Sequence, residues 1–302
     1  MNRTRLAQSL TAAAAVCCLT SILAAPTGAS PPSFDTPPGA NNWGCNPTPA
    51  HPYPVVLVHG TSANAAVNWI VLSPMLAHAG YCVFAFNYGE TEHSRGVFYG
   101  LDDIATSAHT MAEFVDTVLA ATGAAEVDVV GHSQGGMMPH YYIKRLGGAA
   151  KVHTLVGLAP SNHGTTTDLQ TRTHEILRPL GLEEELSGLA VGPAFSQQQA
   201  GSPFQTALFA DGDTAPGLRY AVITTRHDQI MTPYTNSYLR GADVTNILIQ
   251  DQCPDDPVGH SGLFADNPTL QNVLNILGPG EPDFQPTCTD YGPGPILDQA
   301  TR

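Results

Sequence analysis

Residues 131–135 read Gly-His-Ser-Gln-Gly, directly after the mostly apolar run Val127-Asp128-Val129-Val130. A serine set between two glycines at this spacing matches G-x-S-x-G, the sharp strand-to-helix turn that exposes a nucleophilic hydroxyl. The spacing has a steric cause. The residue at the tip is forced into an uncomfortable backbone conformation, and the flanking glycines let neighbouring backbone come close. The pattern alone is weak in a chain with 29 glycines. Its context makes it strong: a β-like run precedes Ser133 and a helix-compatible run with Gly136 follows. Ser133 is therefore read as a nucleophile rather than a residue at a simple reversal.

A serine hydroxyl attacks poorly until a base takes its proton, and that base must be oriented by a third group. On this kind of turn the partners follow in the order serine, acid, histidine. Downstream of Ser133 stand His140, His153, His163, His174, His227 and His260. His140 falls in the helix after the turn, His153 at the start of a strand, and His163 and His174 in a long insertion. His260, in "DDPVGHSGLF", lies in a loop beyond the last clear strand, where Gly259 and Gly262 permit tight backbone. It is the expected base. Asp228, at the end of "RYAVITTRH", is the expected orienting acid, with Asp251, Asp255 and Asp256 as the fallback. An ordinary helix N-cap is the competing role for Asp228. Because the base must be neutral to accept a proton, activity is expected to decline on acidification.

Attack on an acyl carbon also needs donors aimed at the developing oxyanion. One is the backbone N–H of Gln134, next to the nucleophile. The other is expected from the loop after an early strand: in "VLVHGTSANAAVNW" Gly60 turns the chain and Thr61 offers its N–H, with its hydroxyl as a third donor. His59, before that turn, reads as a structural hydrogen-bonding residue, and His132 as a pocket-side or packing residue.

These groups need a scaffold that brings strand ends to one edge. Short apolar runs at 54–60, 81–89, 126–133, 152–160, 218–228 and 244–252 read as strands buried on both faces. Helical character lies between them, at 69–79, 104–122 and 134–146. This alternation predicts an α/β fold with a mostly parallel central sheet and helices on both faces, its ligand site at the strand C-terminal edge. Residues 162–217 are too long for an ordinary connection and are read as a helical cap or lid, apolar at Ile176, Leu177, Leu180, Leu182, Leu186, Leu189 and Val191. That apolar stretch suits either an interface-seeking lid or the packed roof of an acyl pocket, with Glu183, Glu184 and Glu185 as a solvated face.

The first 29 residues have a basic start at Arg3 and Arg5, an apolar stretch from Leu6 to Ala25, and small residues around Ala29. They read as a secretory signal peptide, with 30–302 as a single catalytic domain. A membrane anchor is the rival, but Ser9, Thr11, Thr20 and Ser21 interrupt the run and no basic stop-transfer cluster follows. A net charge of −14 opposes binding to phosphate backbones, so nucleic acid is not an expected partner. Cys45, Cys82, Cys253 and Cys288 remain outside the leader. Four cysteines in an exported chain suggest two disulfides with three connectivities, of which sequence order favours Cys45–Cys82 and Cys253–Cys288. No C-x-x-C spacing occurs and the late aspartates lack a calcium-loop pattern, so neither a metal nor a cofactor is expected.

The segments "PVVLVHGTSANAAVNW", "VVGHSQGGMMPHYYIK", "LAPSNHGT", "QQQAGSPF", "TTRHDQIMTPYTNS" and "DDPVGHSGL" together resemble the α/β-hydrolase superfamily, and more narrowly the secreted bacterial class 2 lipases. The resemblance spans roughly 45–277. It implies an α/β-hydrolase fold, a Ser133–Asp228–His260 triad, and an oxyanion site at Thr61 and Gln134. The Gly60-Thr61 and Ser133-Gln134 pairs are also similar to lipases of the Candida antarctica B type, which supports the cysteine pairing above. Relatives often carry further cysteines in the cap, whereas this chain has none between Cys82 and Cys253. The implied function is extracellular hydrolysis of carboxylic esters, of the triacylglycerol lipase or carboxylesterase kind, by a monomer at a lipid–water interface without stable membrane insertion. A cutinase-like polyesterase or an amidase would use the same residues. A non-catalytic binding protein of the same fold is the reading from another class.

Overall fold

A computed structural model describes residues 36–92, 94, 96–169, 171–172, 175 and 192–295. The proposed leader at 1–29 and the apolar cap positions 176–191 lie outside the described residues, as does His174.

Six parallel strands form one sheet in the order β2–β1–β3–β4–β5–β6. They are β1 (Val55–Val58), β2 (Val83–Phe86), β3 (Val127–His132), β4 (Val152–Leu158), β5 (Arg219–Thr224) and β6 (Val244–Leu248). Each expected run contains a strand, but the strands are shorter than the runs. The last run changes form: β6 ends at Leu248 and Ile249–Gln252 continues as helix α7. The expected 69–79 helix is α2 (Leu72–His78), which starts three residues late, and a short helix that was not expected, α1 (Ala65–Asn68), precedes it. Asn64 accepts from Val67 N–H and starts α1, and Trp69 ends it with its side chain buried.

Away from the β6 edge, where Thr245 and Asn246 are exposed, the sheet is buried on both faces because its strands carry apolar residues at successive positions. Val56, Val58, Phe84, Phe86 and Val129 pack on one side against α3 (Ile104–Thr122) and α4 (Gln134–Arg145). Val55, Leu57, Val83 and Ala85 face the other side, against α1, α2 and α8 (Asn267–Leu277). Helix α3 spans the predicted residues. Its buried positions include Ile104, Ala108, Met111, Val115 and Val118, Asp103 caps its start and left-handed Gly123 its end. Within 162–217, the described part holds α5 (Pro193–Gln197) and α6 (Pro203–Leu208). No helix among the described residues is long and apolar enough to cross a membrane.

The strand order reverses at β1: the chain passes from β1 outward to β2, then returns to place β3 on the other side of β1. The loops leaving β1 and β3 therefore part from each other, opening a crevice at the strand C-terminal ends. Gly60-Thr61 and Ser133 follow those two strands.

Candidate active site

Ser133 is the one residue between β3 and α4, with φ 55° and ψ −121°. A non-glycine residue there stores about 1–3 kcal/mol of strain unless its surroundings hold it. Three bonds do so: Ser133 N–H donates to Leu158 O (2.9 Å), and Ser133 O accepts from Gly136 N–H (3.0 Å) and Ser161 N–H (3.3 Å). The neighbours are glycine for lack of room. A Cβ on Gly131 would overlap the Gly135 carbonyl, and one on Gly135 would overlap the carbonyl oxygens of Val58 and His59.

Asp228 and His260 meet from two different loops. Asp228 follows β5 and His260 begins a short 3-10 turn, Ser261 to Ala265 completing it. His260 Nδ1 lies 2.8 Å from Asp228 Oδ2. A carboxylate can only accept, so Nδ1 carries the proton and Nε2 is the bare nitrogen left to serve as base. Both side chains are buried, which strengthens the pairing and fixes the ring. No helix starts directly after Asp228, so the N-cap alternative is not what the fold uses; the carboxylate closes a turn instead. Its other oxygen, Oδ1, accepts from Ile230 N–H (2.8 Å) and Met231 N–H (2.7 Å), so one carboxylate shapes its own loop and holds the imidazole.

The two loops are joined by residues that carried no signal in the sequence. Thr225 Oγ1 donates to Val258 O (2.7 Å), and Gln250 Nε2 donates to Thr225 Oγ1 (2.9 Å) and Asp256 O (3.1 Å). The C-terminal tail adds a strap. Cys288 is bonded to Cys253, and Gly259 N–H donates to Pro293 O (3.0 Å). Gly259 and Gly262 are thus needed less for a tight loop than for this close approach: a Cβ on either would press into Pro295 or Pro293. The second disulfide joins Cys45 to Cys82 at the opposite end of β2.

His132, read as pocket-side or packing, is a brace. Its Nε2 lies 3.1 Å from His260 O, and its Nδ1 lies 3.3 Å from Asn68 Oδ1, which accepts from Gly60 N–H at 3.1 Å. A neutral ring carries one N–H, and the shorter contact assigns it to His260 O, so this imidazole fastens the base loop to the end of β3 while its bare Nδ1 packs beside Asn68 Oδ1. Burial, with the neighbouring His260, holds its pKa well below the ordinary range, so it stays uncharged beside the base. His59 donates from Nδ1 to Gly60 O (2.8 Å) and stacks on Tyr88 at 4.3 Å. Burial lowers its pKa to about 4.

Gln134 opens α4, so its amide is one of the orphan N–H groups at a helix start, where the helix dipole favours negative charge. Among the described residues neither Thr61 N–H nor Gln134 N–H donates a hydrogen bond. Gln134 also acts through its side chain, donating from Nε2 to Thr61 Oγ1 (2.9 Å) and Gly100 O (2.9 Å).

The remaining candidates lie elsewhere. Asp251 pairs at the surface with Arg226 (3.4 Å), Asp255 is exposed, and Asp256 is buried with Oδ1 accepting from Val258 N–H (2.8 Å). His140 is buried between Tyr220 and Phe209, His153 stacks on Tyr53 and meets Asp128, His163 faces Asp213, and His227 is exposed.

Two curated triacylglycerol lipases, from Pseudarthrobacter phenanthrenivorans and Burkholderia plantarii, are each 34% identical to this chain over 94 residues, 30% of its length. The match spans about a quarter of those relatives, 27% and 24% of their lengths. Among solved structures, Aspergillus fumigatus lipase B superposes with a TM-score of 0.63 at 20% identity, over 82% of this chain and 57% of its own. Mature Bacillus licheniformis lipase BlEst2 gives 0.55 at 16%, over 77% and 94%. At such identity these two speak for the fold, which is that of the α/β-hydrolases. The family model "Lipase (class 2)" matches residues 52–266, a span that holds Thr61, Ser133, Asp228 and His260, and the chain belongs to that family.

Proposed function

We propose that this chain hydrolyses carboxylic esters, triacylglycerols among them, through an acyl-enzyme on Ser133. The observation that carries the reading is the strained Ser133 at the crevice, with the buried His260–Asp228 pair 2.8 Å apart behind it. Ser133 Oγ attacks the ester carbonyl as His260 Nε2 takes its proton. Asp228 keeps the Nδ1–H tautomer and stabilises the imidazolium. The Thr61 and Gln134 N–H groups receive the oxyanion. The imidazolium then hands its proton to the departing alcohol, and water enters with His260 again as base. Membership of the class 2 lipase family supports the substrate class. The leader-like 1–29 segment and two disulfides support export to an oxidising compartment.

Ser133→Ala should lower kcat on p-nitrophenyl esters by about 10³-fold or more while the melting temperature holds. Undiminished turnover in that variant would sink the proposal. A p-nitrophenyl series from acetyl to palmitoyl, run beside emulsified triglyceride, separates lipase from esterase. Activity confined to short soluble esters would remove triacylglycerols from the reading and leave the mechanism standing.

A further inference from the structure

The hydroxyl of Thr61 receives two hydrogen bonds, and the second donor is Gln198, the residue that ends α5. Gln134 Nε2 reaches Thr61 Oγ1 at 2.9 Å, and so does Gln198 Nε2, also at 2.9 Å. The orientation of each amide is fixed by an independent partner. Gln134 Nε2 also meets Gly100 O, and Gln198 Nε2 also meets Ala194 O at 3.1 Å. A carbonyl oxygen only accepts, so both side chains must present N–H, not oxygen, to the threonine. Gln198 Oε1 is engaged separately by the Ser161 hydroxyl at 2.9 Å.

A threonine hydroxyl has two lone pairs and one proton. With both lone pairs occupied by N–H donors, the proton must leave in the third direction. Among the described residues no hydrogen bond is donated by Thr61 Oγ1. We infer that Gln198 is a positioning residue for the oxyanion site: with Gln134 it holds Thr61 Oγ1 as a double acceptor, turning the hydroxyl proton toward the developing oxyanion. The inference rests on the ester-cleaving reading of Ser133.

The surroundings suit this role. Gln198 is 1% exposed, and Ser161, which holds its Oε1, also donates its N–H to Ser133 O. Gln198 thus ties the base of the cap to both the nucleophile turn and Thr61. Its neighbours have other tasks. Gln197 Oε1 accepts from Ile104 N–H at the start of α3 (2.9 Å), and Gln199 Nε2 donates to Thr167 O (3.1 Å). The polar "QQQ" run is therefore an anchor set rather than a solvated cap face. An oxyanion donor whose orientation is fixed before reaction costs no reorganisation at the moment of attack, and this is the source of its catalytic effect.

The test is a double-mutant cycle on a soluble ester at pH 8, with Gln198→Met and Gln198→Glu each made in the Thr61 and Thr61→Val backgrounds. Met removes one donor and frees the hydroxyl to rotate, so kcat should fall about 10-fold. An ionised Glu accepts the threonine proton and turns it away, so kcat should fall on the order of 10²-fold. KM should stay within about twofold in both, since the bond matters in the transition state. In the Thr61→Val background neither change should lower kcat further, while Thr61→Ser should keep the sensitivity. Equal losses in both backgrounds, or losses confined to KM, would overturn the inference. Should the Glu variant fail to fold, the Met cycle decides alone. An active wild type silenced by Ser133→Ala, with Gln198 effects independent of Thr61, refutes only this inference. A wild type that cleaves no ester refutes the function beneath it.

Discussion

The nucleophile turn and the two loops that carry Asp228 and His260 reach the same crevice by different means. The turn is one stretch, Gly131 to Gly136, held by three backbone hydrogen bonds at Ser133 and by backbone packed so closely that a Cβ on either Gly131 or Gly135 would overlap a carbonyl. The loops come from residues 32 apart, and hydrogen bonds from Thr225 and Gln250, a disulfide and the crossing tail hold them. Small changes should therefore have different symptoms in the two regions. Gly135→Ala tests the first. Its methyl has only backbone to displace, between β1 and α4, so the cost should be about 3 kcal/mol or more. A melting temperature at least about 6 °C lower, or insoluble protein, is expected. Gly44→Ala is the control, since its nearest foreign atom lies at 3.5 Å, and it should shift melting by no more than about 2 °C. Equal tolerance at both sites would break the steric account of the turn.

The loops should fail in chemistry before they fail in fold. In Asp228→Asn the amide oxygen can keep accepting from Ile230 and Met231 N–H, so the loop should survive. The other position becomes an NH₂ and can no longer accept from His260 Nδ1–H, which favours the wrong tautomer of the base. A loss on the order of 10⁴-fold in kcat is expected, with melting within about 2 °C of the wild type. Ester turnover within tenfold of wild type would remove Asp228 from the role and return attention to Asp256, the one buried aspartate of the fallback set.

This contrast also explains what could be read from the residues alone. The turn was legible because its cause is local: Gly131, Ser133 and Gly135 are adjacent in sequence and in space. The inner strands were legible because burial on both faces leaves mostly apolar runs, the edge strand β6 less so, and α3 because of its apolar spacing. Less legible were features set by distant partners. The short helix α1 was missed and the one expected at 69–79 starts only at Leu72, because Asn64 caps α1 and the buried Trp69 ends it, facts that hydropathy does not carry. His132 looked like a pocket-side or packing residue because its partner, the carbonyl of His260, lies 128 positions away. The roles of Gln198 and Gln250 gave no sequence signal for the same reason. A glutamine's type says that it can donate and accept, and only the fold says to whom.

The smallest expected effect concerns protons, where the two regions should pull in opposite directions. On the turn side, His59 and His132 are buried and their pKa values lowered, His59 to about 4. The unfolded chain therefore binds more protons than the folded one as pH falls below the ordinary histidine value, about 6.5, and the stability they contribute rises with pH across that window. On the loop side, burial pushes Asp256 up to about 6, the charge of Asp266 adds to the rise, and the bond from Val258 N–H opposes it. Tyr291 also faces this carboxyl pair. Between the unfolded aspartate value, about 3.9, and 6 the folded chain holds a proton that the unfolded chain has lost, so stability from this group falls as pH rises. Asp256→Asn keeps the shape and removes the titration. It leaves the histidine slope unopposed. Melting temperature should then climb more steeply between about pH 4 and 6 in the variant than in the wild type, by a few degrees over the window, and the two curves should run parallel above it. Parallel curves throughout, or a shallower climb in the variant, would mean that Asp256 ionises as freely in the fold as outside it. The base loop would then rest on its hydrogen bonds and disulfide without a shared proton.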